Sequence, residues 1–371
     1  MLNRRGLLVS GVAAGFGAWL AACTAPVAGA EFTDGAGRKV KLPGQVKKVF
    51  AAGPPANVML YALAPEMMTG WVKAPSPKDK PYIAAAYQNL PESGRLTGRG
   101  NTANLEAVIA AKPDMILDVG GTDPTYVSLA DRVQDQTGIP YILLDGAFAK
   151  TPKAFRDLGT ALGLKDRAEA LAAYADGVMG LTIPDGPSPR VYAARGPEGL
   201  ETGLDGSINV ELLKVVGATN VATRGPGMGP TPGKAPEGKG PEGKVGGGGR
   251  RGGGGLAQVS MEQVTAWDPE VIITGDERFF ASVRSNPLWA GIKAVKDRRV
   301  YKSPTAPFGW FDSPPGINRL IGVRWLRSVL YPGSETDLPG LTREFYSTFY
   351  HVDLTDAQIA GLLDGAVPAT A

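Results

Sequence analysis

One pattern of short segments occurs twice in this sequence, once on each side of a predicted helical region at residues 151–181. Each copy begins with an apolar stretch that runs into a Gly-Pro turn, which is typical of a short buried strand. A capped helix start, a Pro-marked turn and a second apolar stretch follow, and then a third strand. The matched segments come in the same order: 48–52 with 190–194, 104–117 with 260–273, and 139–145 with 299–303.

The region between the two copies predicts how they are connected. Thr151 and Pro152 have the composition of a helix start, with Thr151 as the N-cap, and Gly163 then interrupts the pattern. Lys165 opens a second run with apolar residues on one face, and Pro184 ends it. Strands that alternate with helices form parallel sheets. The sequence therefore predicts an α/β fold: two Rossmann-like lobes with parallel central sheets, joined by a single long α-helix.

The first 30 residues have the features of an export signal. Arg4 and Arg5 precede an apolar stretch at 6–22 that is short for a membrane span. The paired arginines fit the twin-arginine route, with general secretion as the alternative. Cys23 follows Leu-Ala-Ala as in a bacterial lipobox, which predicts a lipid anchor, and cleavage after Ala30 is the alternative. Both alternatives predict a protein in the periplasm or on the outer face of the cytoplasmic membrane.

Six short motifs occur in a fixed order along the chain: Thr33-Asp34, Leu42-Pro43, Asn104-Leu105-Glu106, Lys112-Pro113-Asp114, Ser260-Met261-Glu262-Gln263-Val264 and Asn286-Pro287-Leu288-Trp289. With these motifs, the sequence resembles the iron-siderophore and vitamin B12 binding proteins of ABC importers, over nearly all of residues 31–335. The resemblance implies a rigid-helix, class III bilobed protein that holds its ligand in the cleft between the lobes.

The domain boundaries follow from these patterns. Residues 224–255 consist of Gly, Pro, Lys and Glu with almost no large apolar residue, which predicts a disordered insertion. A flexible loop and an anion-binding backbone nest are the alternatives for its role. We expect an export signal at 1–30, an N-terminal α/β lobe at 31–150, linker helices at 151–183, a C-terminal α/β lobe at 184–334, and a helical tail at 335–371 packed on the lobes.

Composition limits the chemistry of the site. The net charge is only +3, which does not indicate a nucleic-acid-binding protein. Neither a Gly-x-Ser-x-Gly elbow nor a complete phosphate-loop motif occurs. With His351 as the only histidine and Cys23 as the only cysteine, neither a catalytic triad nor a His/Cys metal site can be assembled. We therefore expect no enzyme activity, no direct metal ligand, no cofactor apart from lipid on Cys23, and a ligand that is anionic or carries its own coordination shell.

Loops at the carboxyl ends of the predicted strands are the expected ligand site, because parallel α/β sheets bind ligands there. Arginines in and near these loops offer fixed positive charge for an anionic chelate. Phe308 and Trp310 lie between prolines, and they either form a wall for a flat ligand or plug the lobe as packing residues. The predicted ligand-binding residues are Pro55, Asn57, Arg95, Arg99, Arg195, Phe308 and Trp310.

Glu106 and Glu262 occupy matching positions in the two halves, in the first turn of a helix that Asn104 or Ser260 caps. The resemblance implies that one surface Glu per lobe docks onto an Arg of each subunit of an ABC permease. The alternative is local, because an acidic residue in the first turn also stabilises the helix dipole.

The resemblance therefore implies an exported, monomeric solute-binding protein that delivers a metal chelate to an ABC permease dimer with a cytoplasmic ATPase. A ferric siderophore is the first expectation for the ligand. Cobalamin, haem and an oxyanion such as molybdate are alternatives within the class. A lobed α/β enzyme that acts on an extracytoplasmic substrate is the alternative class, which the lack of catalytic motifs disfavours.

Overall fold

The computed structural model describes residues 29–98, 105–223 and 255–368. The predictions for the export signal, for the insertion up to residue 254, for Cys23 and for Arg99 lie outside the described residues. Within these ranges, no helix has both the length and the apolar composition needed to cross a membrane.

A three-stranded parallel sheet forms the centre of the N-terminal half. In chain order, the elements are β1 (Glu31–Thr33), β2 (Lys39–Lys41), β3 (Val49–Ala51), α1 (Pro54–Leu63), α2 (Leu105–Ala111), β4 (Met115–Gly120), α3 (Pro124–Thr137) and β5 (Tyr141–Asp145). Strands β1 and β2 form an antiparallel ribbon, while β3, β4 and β5 are parallel neighbours in that order. The central strand β4 is buried from Met115 to Val119, as expected for a parallel strand that is covered on both faces.

Two helices, α4 (Thr151–Leu162) and α5 (Lys165–Met179), connect the halves. They break at Gly163, as predicted, and its φ of 73° lies in the left-handed region that favours glycine. The helices pack closely, since a Cβ added to Gly159 would lie 2.2 Å from Ala168 Cβ. The predicted cap was wrong: Thr151 is already helical, because the turn at Phe148–Lys150 runs directly into α4.

The C-terminal half repeats this plan. Its elements are β6 (Arg190–Ala194), β7 (Glu201–Gly203), α6 (Glu211–Val215), β8 (Thr219–Asn220), β9 (Leu256–Gln258), α7 (Met261–Trp267), β10 (Val271–Thr274), α8 (Glu277–Ser282), α9 (Lys293–Lys296) and β11 (Val300–Lys302). The parallel sheet has the order β11-β10-β6-β8. Strands β6, β10 and β11 thus repeat the order of β3, β4 and β5, which confirms that the sequence pattern encodes two parallel α/β sheets. Strand β8 and the antiparallel ribbon β7-β9 were not predicted.

Three further helices, α10 (Arg319–Leu330), α11 (Leu338–Tyr350) and α12 (Asp356–Leu363), complete the fold. Thr355 and Gln358 form a reciprocal capping box at the start of α12. The α11 aromatics Phe345, Tyr346, Phe349 and Tyr350 are fully buried. Their rings pack against Tyr61 of α1, Phe155 of α4 and Tyr174 of α5, so α11 covers the N-terminal half and the connection.

An ion pair between a buried arginine and a half-buried glutamate ties the two halves together. Arg319 is 1% exposed, and its Nη1 lies 2.8 Å from Glu211 Oε2 in α6. Its Nη2 donates to the Gly146 carbonyl after β5, at 2.9 Å, and Glu211 accepts the N–H of Phe148 at 3.2 Å. Because three segments meet in this network, it fixes α6 and α10 against the end of the N-terminal sheet.

Candidate functional site

A cavity of about 260 Å³ lies at the carboxyl ends of β6, β10 and β11, and we term it the C-terminal cavity. This is the edge at which parallel sheets bind ligands. Residues 303–313 form its other wall. Its polar side chains are mainly hydroxyls, from Thr274, Ser303, Thr305 and Ser313, together with the charged groups of Arg195, Asp276 and Asp312.

The charge of Arg195 is already compensated. Its Nη1 donates a hydrogen bond to Asp312 Oδ2, and its Nε lies 3.6 Å from Glu201 Oε1. Burial raises the pKa of the Asp312 carboxyl, although Arg195 acts in the opposite direction. Arg195 therefore lines the predicted site, but it does not present the uncompensated positive charge that the sequence suggested.

A second cavity, of about 380 Å³, lies between the N-terminal half and residues 307–314, and we term it the interlobe cavity. Its apolar lining comes from Val58, Trp71, Val72, Ile83, Pro307 and Phe308. Its charged lining comes from Lys73, Asp79, Glu92 and Arg95. An aromatic and aliphatic wall with a few charged groups suits an organic ligand that is apolar on one side and oxygen-rich on the other.

The two acidic residues of the interlobe cavity are engaged by local hydrogen bonds. Glu92 Oε2 accepts the backbone N–H of Ala74 at 2.9 Å, and Asp79 Oδ2 accepts the hydroxyl of Ser76 at 2.5 Å. Arg95, which the sequence analysis named as a candidate ligand-binding residue, is half-buried on the wall of this cavity.

Residues 303–318 form one loop that separates the cavities. Tyr346 Oη in α11 donates to the Ala306 carbonyl, and Asn318 Nδ2 donates to the Pro314 carbonyl at 2.9 Å. The loop contains two cis peptide bonds, at Ala306-Pro307 and Ser313-Pro314. These contacts fasten the loop to α11 and to the start of α10, so both cavities share a firmly held wall.

The two predicted aromatics of this loop have different positions. Phe308 lines the interlobe cavity, with its ring 6.0 Å from that of Trp71. Trp310 lines neither cavity: its side chain is 0% exposed, and Nε1 donates to Tyr346 Oη at 3.1 Å. The prediction of Trp310 as a ligand wall is therefore corrected to the packing alternative, because the indole is buried against Tyr346 of α11.

Of the two residues predicted in α1, Asn57 lines the interlobe cavity and Pro55 does not. The Asn57 side chain accepts the N–H of Val72 at 2.8 Å and donates to the Gly70 carbonyl at 3.2 Å. It thereby holds the segment that carries Trp71, and its amide is used by the backbone rather than offered to a ligand. Pro55 is half-buried beside Gly316 and does not line the cavity.

Glu106 and Glu262 occupy equivalent helices. Each lies in the first turn of the helix that leads into the central strand of its sheet, α2 before β4 and α7 before β10. Both side chains are exposed. A hydrogen bond from the Ser260 hydroxyl, and then one from the backbone, lower the pKa of Glu262.

Sequence reasoning missed several lining residues, among them Trp71, Lys73 and Asp79. A sequence signal could have found Trp71, because an aromatic residue close to prolines is the same feature that pointed to Phe308. Trp71 precedes Pro75 and Pro77. The pairing of Asp312 with Arg195 spans 117 residues of sequence, so no local pattern indicates it. Among the described residues, no cluster of three His, Cys, Asp or Glu side chains could hold a metal ion.

Two α/β lobes, a helical connection and a ligand-sized cavity between the lobes define the class of bilobed solute-binding proteins. The structure is similar to an ABC transporter solute-binding protein from Sulfurospirillum deleyianum, with a TM-score of 0.75 and 27% identity over 90% of this chain and 99% of that one. A periplasmic solute-binding protein from Veillonella parvula matches with a TM-score of 0.67 at 22% identity, over 91% and 98% of the two chains. The comparisons confirm the resemblance to solute-binding proteins of ABC transporters, which are transport proteins rather than enzymes.

A similarity to molybdate-binding proteins is narrower. The molybdate-bound structure of the Haemophilus influenzae protein MolA has a TM-score of 0.65 and 20% identity over 88% of this chain and 99% of that one, which shows the shared fold. In sequence, MolA is 32% identical over 101 residues, which are 26% of this chain and 28% of MolA. No protein-family model matches the sequence.

Proposed function

We propose that the chain captures an organic metal chelate, with a ferric siderophore as the first candidate, and delivers it to an ABC permease. The observation that carries this proposal is the amphipathic lining of the interlobe cavity. Trp71, Phe308 and Ile83 offer apolar surface that a bare oxyanion could not use, while Arg95 and Lys73 suit anionic oxygens of a chelate. The metal is cargo held by its own chelator, so the protein needs no resident cofactor.

Titration calorimetry with ferric catecholate and ferric hydroxamate siderophores tests the proposal. Wild-type protein should bind one chelate per chain, and Phe308→Ala should weaken binding about tenfold or more through loss of the aromatic wall. Phe280→Ala is the matched control, because Phe280 packs against Arg284 and Lys302 and lines neither cavity. Equal affinity of the Phe308 variant and wild type would contradict this site.

A molybdate-like oxyanion is the second candidate. The 101-residue match to MolA favours it. The same calorimeter distinguishes the two candidates, because an oxyanion site would bind molybdate tightly and would tolerate Phe308→Ala.

The proposed partner is an ABC permease dimer with its cytoplasmic ATPase. Equivalent exposed carboxylates on α2 and α7 suit a symmetric pair of permease arginines, one per lobe. The proposed location is the periplasmic side of the cytoplasmic membrane, with a lipid on Cys23 as the anchor.

A double charge reversal, Glu106→Arg with Glu262→Arg, tests the docking role. It should leave ligand affinity nearly unchanged and abolish uptake in cells, whereas the control Asp353→Arg, at an exposed position, should leave uptake unchanged. Uptake by the double variant at the wild-type rate would leave only the helix-dipole role.

A further inference from the structure

The charged lining of the C-terminal cavity does not suit a simple anion site. Among the described residues that line it, the charged side chains are Arg195, Asp276 and Asp312. Asp276 is engaged as the N-cap of α8, where Oδ1 accepts the N–H groups of Arg278 and Phe279 at 3.0 and 3.1 Å. Carboxylates therefore outnumber cations in a cavity that has the size and hydroxyl content for an oxygen-rich group.

The Asp312 carboxylate is held in place by its neighbours. Its side chain is 7% exposed, Oδ2 accepts from Arg195 Nη1, and Oδ1 accepts from the Ser313 hydroxyl at 3.2 Å. Glu201 approaches Arg195 from β7, and Arg319 of α10 contributes positive potential while its guanidinium is bound to Glu211. An entering anion would have to take the Arg195 donor away from Asp312 and remain beside a buried carboxylate.

We propose that Asp312 is an internal counter-ion that decides which ligands the C-terminal cavity accepts. While it is ionised, it occupies Arg195, disfavours bare oxyanions and favours the neutral or hydroxyl-rich part of a chelate. This inference rests on the proposed function, since the C-terminal cavity shares the 303–318 loop with the interlobe cavity that is proposed to hold the chelate. An oxyanion can be accommodated when Asp312 takes up a proton, and the raised pKa of its carboxyl makes that uptake easier than for an exposed Asp.

Asp312→Asn tests the proposal, because Asn keeps the shape and an oxygen that can accept from Arg195 and Ser313. With sodium molybdate as the probe at pH 7.5, calorimetry should show binding at least about tenfold tighter than wild type, as expected for one released charged hydrogen-bond donor. Adding Arg195→Gln should abolish the gain. Asp276→Asn is the matched control, since it removes a carboxylate from the same cavity but not from Arg195, and should gain less than about threefold.

Two results would overturn the inference: no gain in molybdate affinity for Asp312→Asn, or a gain that persists without Arg195. Thermal melting checks that each variant folds, and Asp312→Ser replaces the Asn variant if that one does not. Siderophore binding by wild-type protein is measured in parallel and judges the proposed function alone. If wild-type protein binds siderophore but Asp312→Asn shows no gain in molybdate affinity, the counter-ion role is refuted and the proposed function stands.

Discussion

Asp118 provides the sharpest test of how the N-terminal sheet is stabilised. It lies in the middle of β4 and is 2% exposed. Its Oδ1 accepts the hydroxyl of Thr97 and its Oδ2 the hydroxyl of Tyr141, both at 3.1 Å. Burial raises the pKa of its carboxyl from 3.8 to about 6, and the two hydrogen bonds oppose the rise. Thr97 belongs to the segment that carries Arg95, so this carboxylate also anchors one wall of the interlobe cavity.

The raised pKa fixes the sign of the effect on stability. The folded protein binds a proton at Asp118 more tightly than the unfolded chain does. The stabilisation is therefore fully present below pH 3.8 and is lost as the pH rises through about 6. With these two pKa values, Asp118 should contribute about 2 kcal/mol more to the free energy of unfolding at pH 4.5 than at pH 7.5.

Urea denaturation of wild type and Asp118→Asn at both pH values isolates this contribution from all other carboxylates. The stability of the variant relative to wild type should be lower at pH 4.5 than at pH 7.5 by about 2 kcal/mol. Asp135→Asn, on the exposed face of α3, controls for the loss of one carboxylate. A relative stability of Asp118→Asn that does not change with pH, or that changes in the opposite direction, would refute the reasoning.

Two further substitutions test the packing around the site. Gly322→Ala in α10 should destabilise the protein by about 1–3 kcal/mol and weaken chelate binding, because the new Cβ would lie 1.9 Å from the Trp310 carbonyl oxygen and must displace the 303–318 loop. Urea denaturation measures the change in stability, and calorimetry measures the change in affinity. A variant as stable as wild type would contradict the prediction, because it would show that the 303–318 loop can move without cost. Arg319→Met should cost about 3 kcal/mol, because it leaves the half-buried Glu211 without its cation, whereas Arg156→Met at an exposed ion pair should cost much less. Equal losses in these two variants would contradict a bracing role for the pair of Arg319 and Glu211.

The sequence predicted the parts of the fold that depend on local pattern. The repeated strand, helix and Pro-turn units placed β3, β4, β5, β6, β10 and β11 correctly, because buried parallel strands are continuous apolar runs. The break at Gly163 was also predicted, since it depends on the backbone freedom of a single glycine. Strands β7, β8 and β9 escaped prediction, because they lie outside the repeated strand, helix and Pro-turn units.

The site was harder to predict than the fold, because its properties depend on contacts between distant segments. Arg195 was found as a loop residue, yet its charge state depends on Asp312, far along the chain. The exposure of Trp310 depends on Tyr346 of α11, against which the indole is buried. The Arg319 network likewise joins α6, α10 and the end of β5, and an arginine at a helix start gives no sign that it is buried.

Native mass spectrometry of protein purified from its own host, under gentle desolvation, tests the central claim most directly. The account predicts one metal-containing small molecule per chain, with the mass of an organic chelate, that leaves when Phe308 is replaced by Ala. A bound species without metal, or a bare oxyanion that stays on the Phe308 variant, would contradict it.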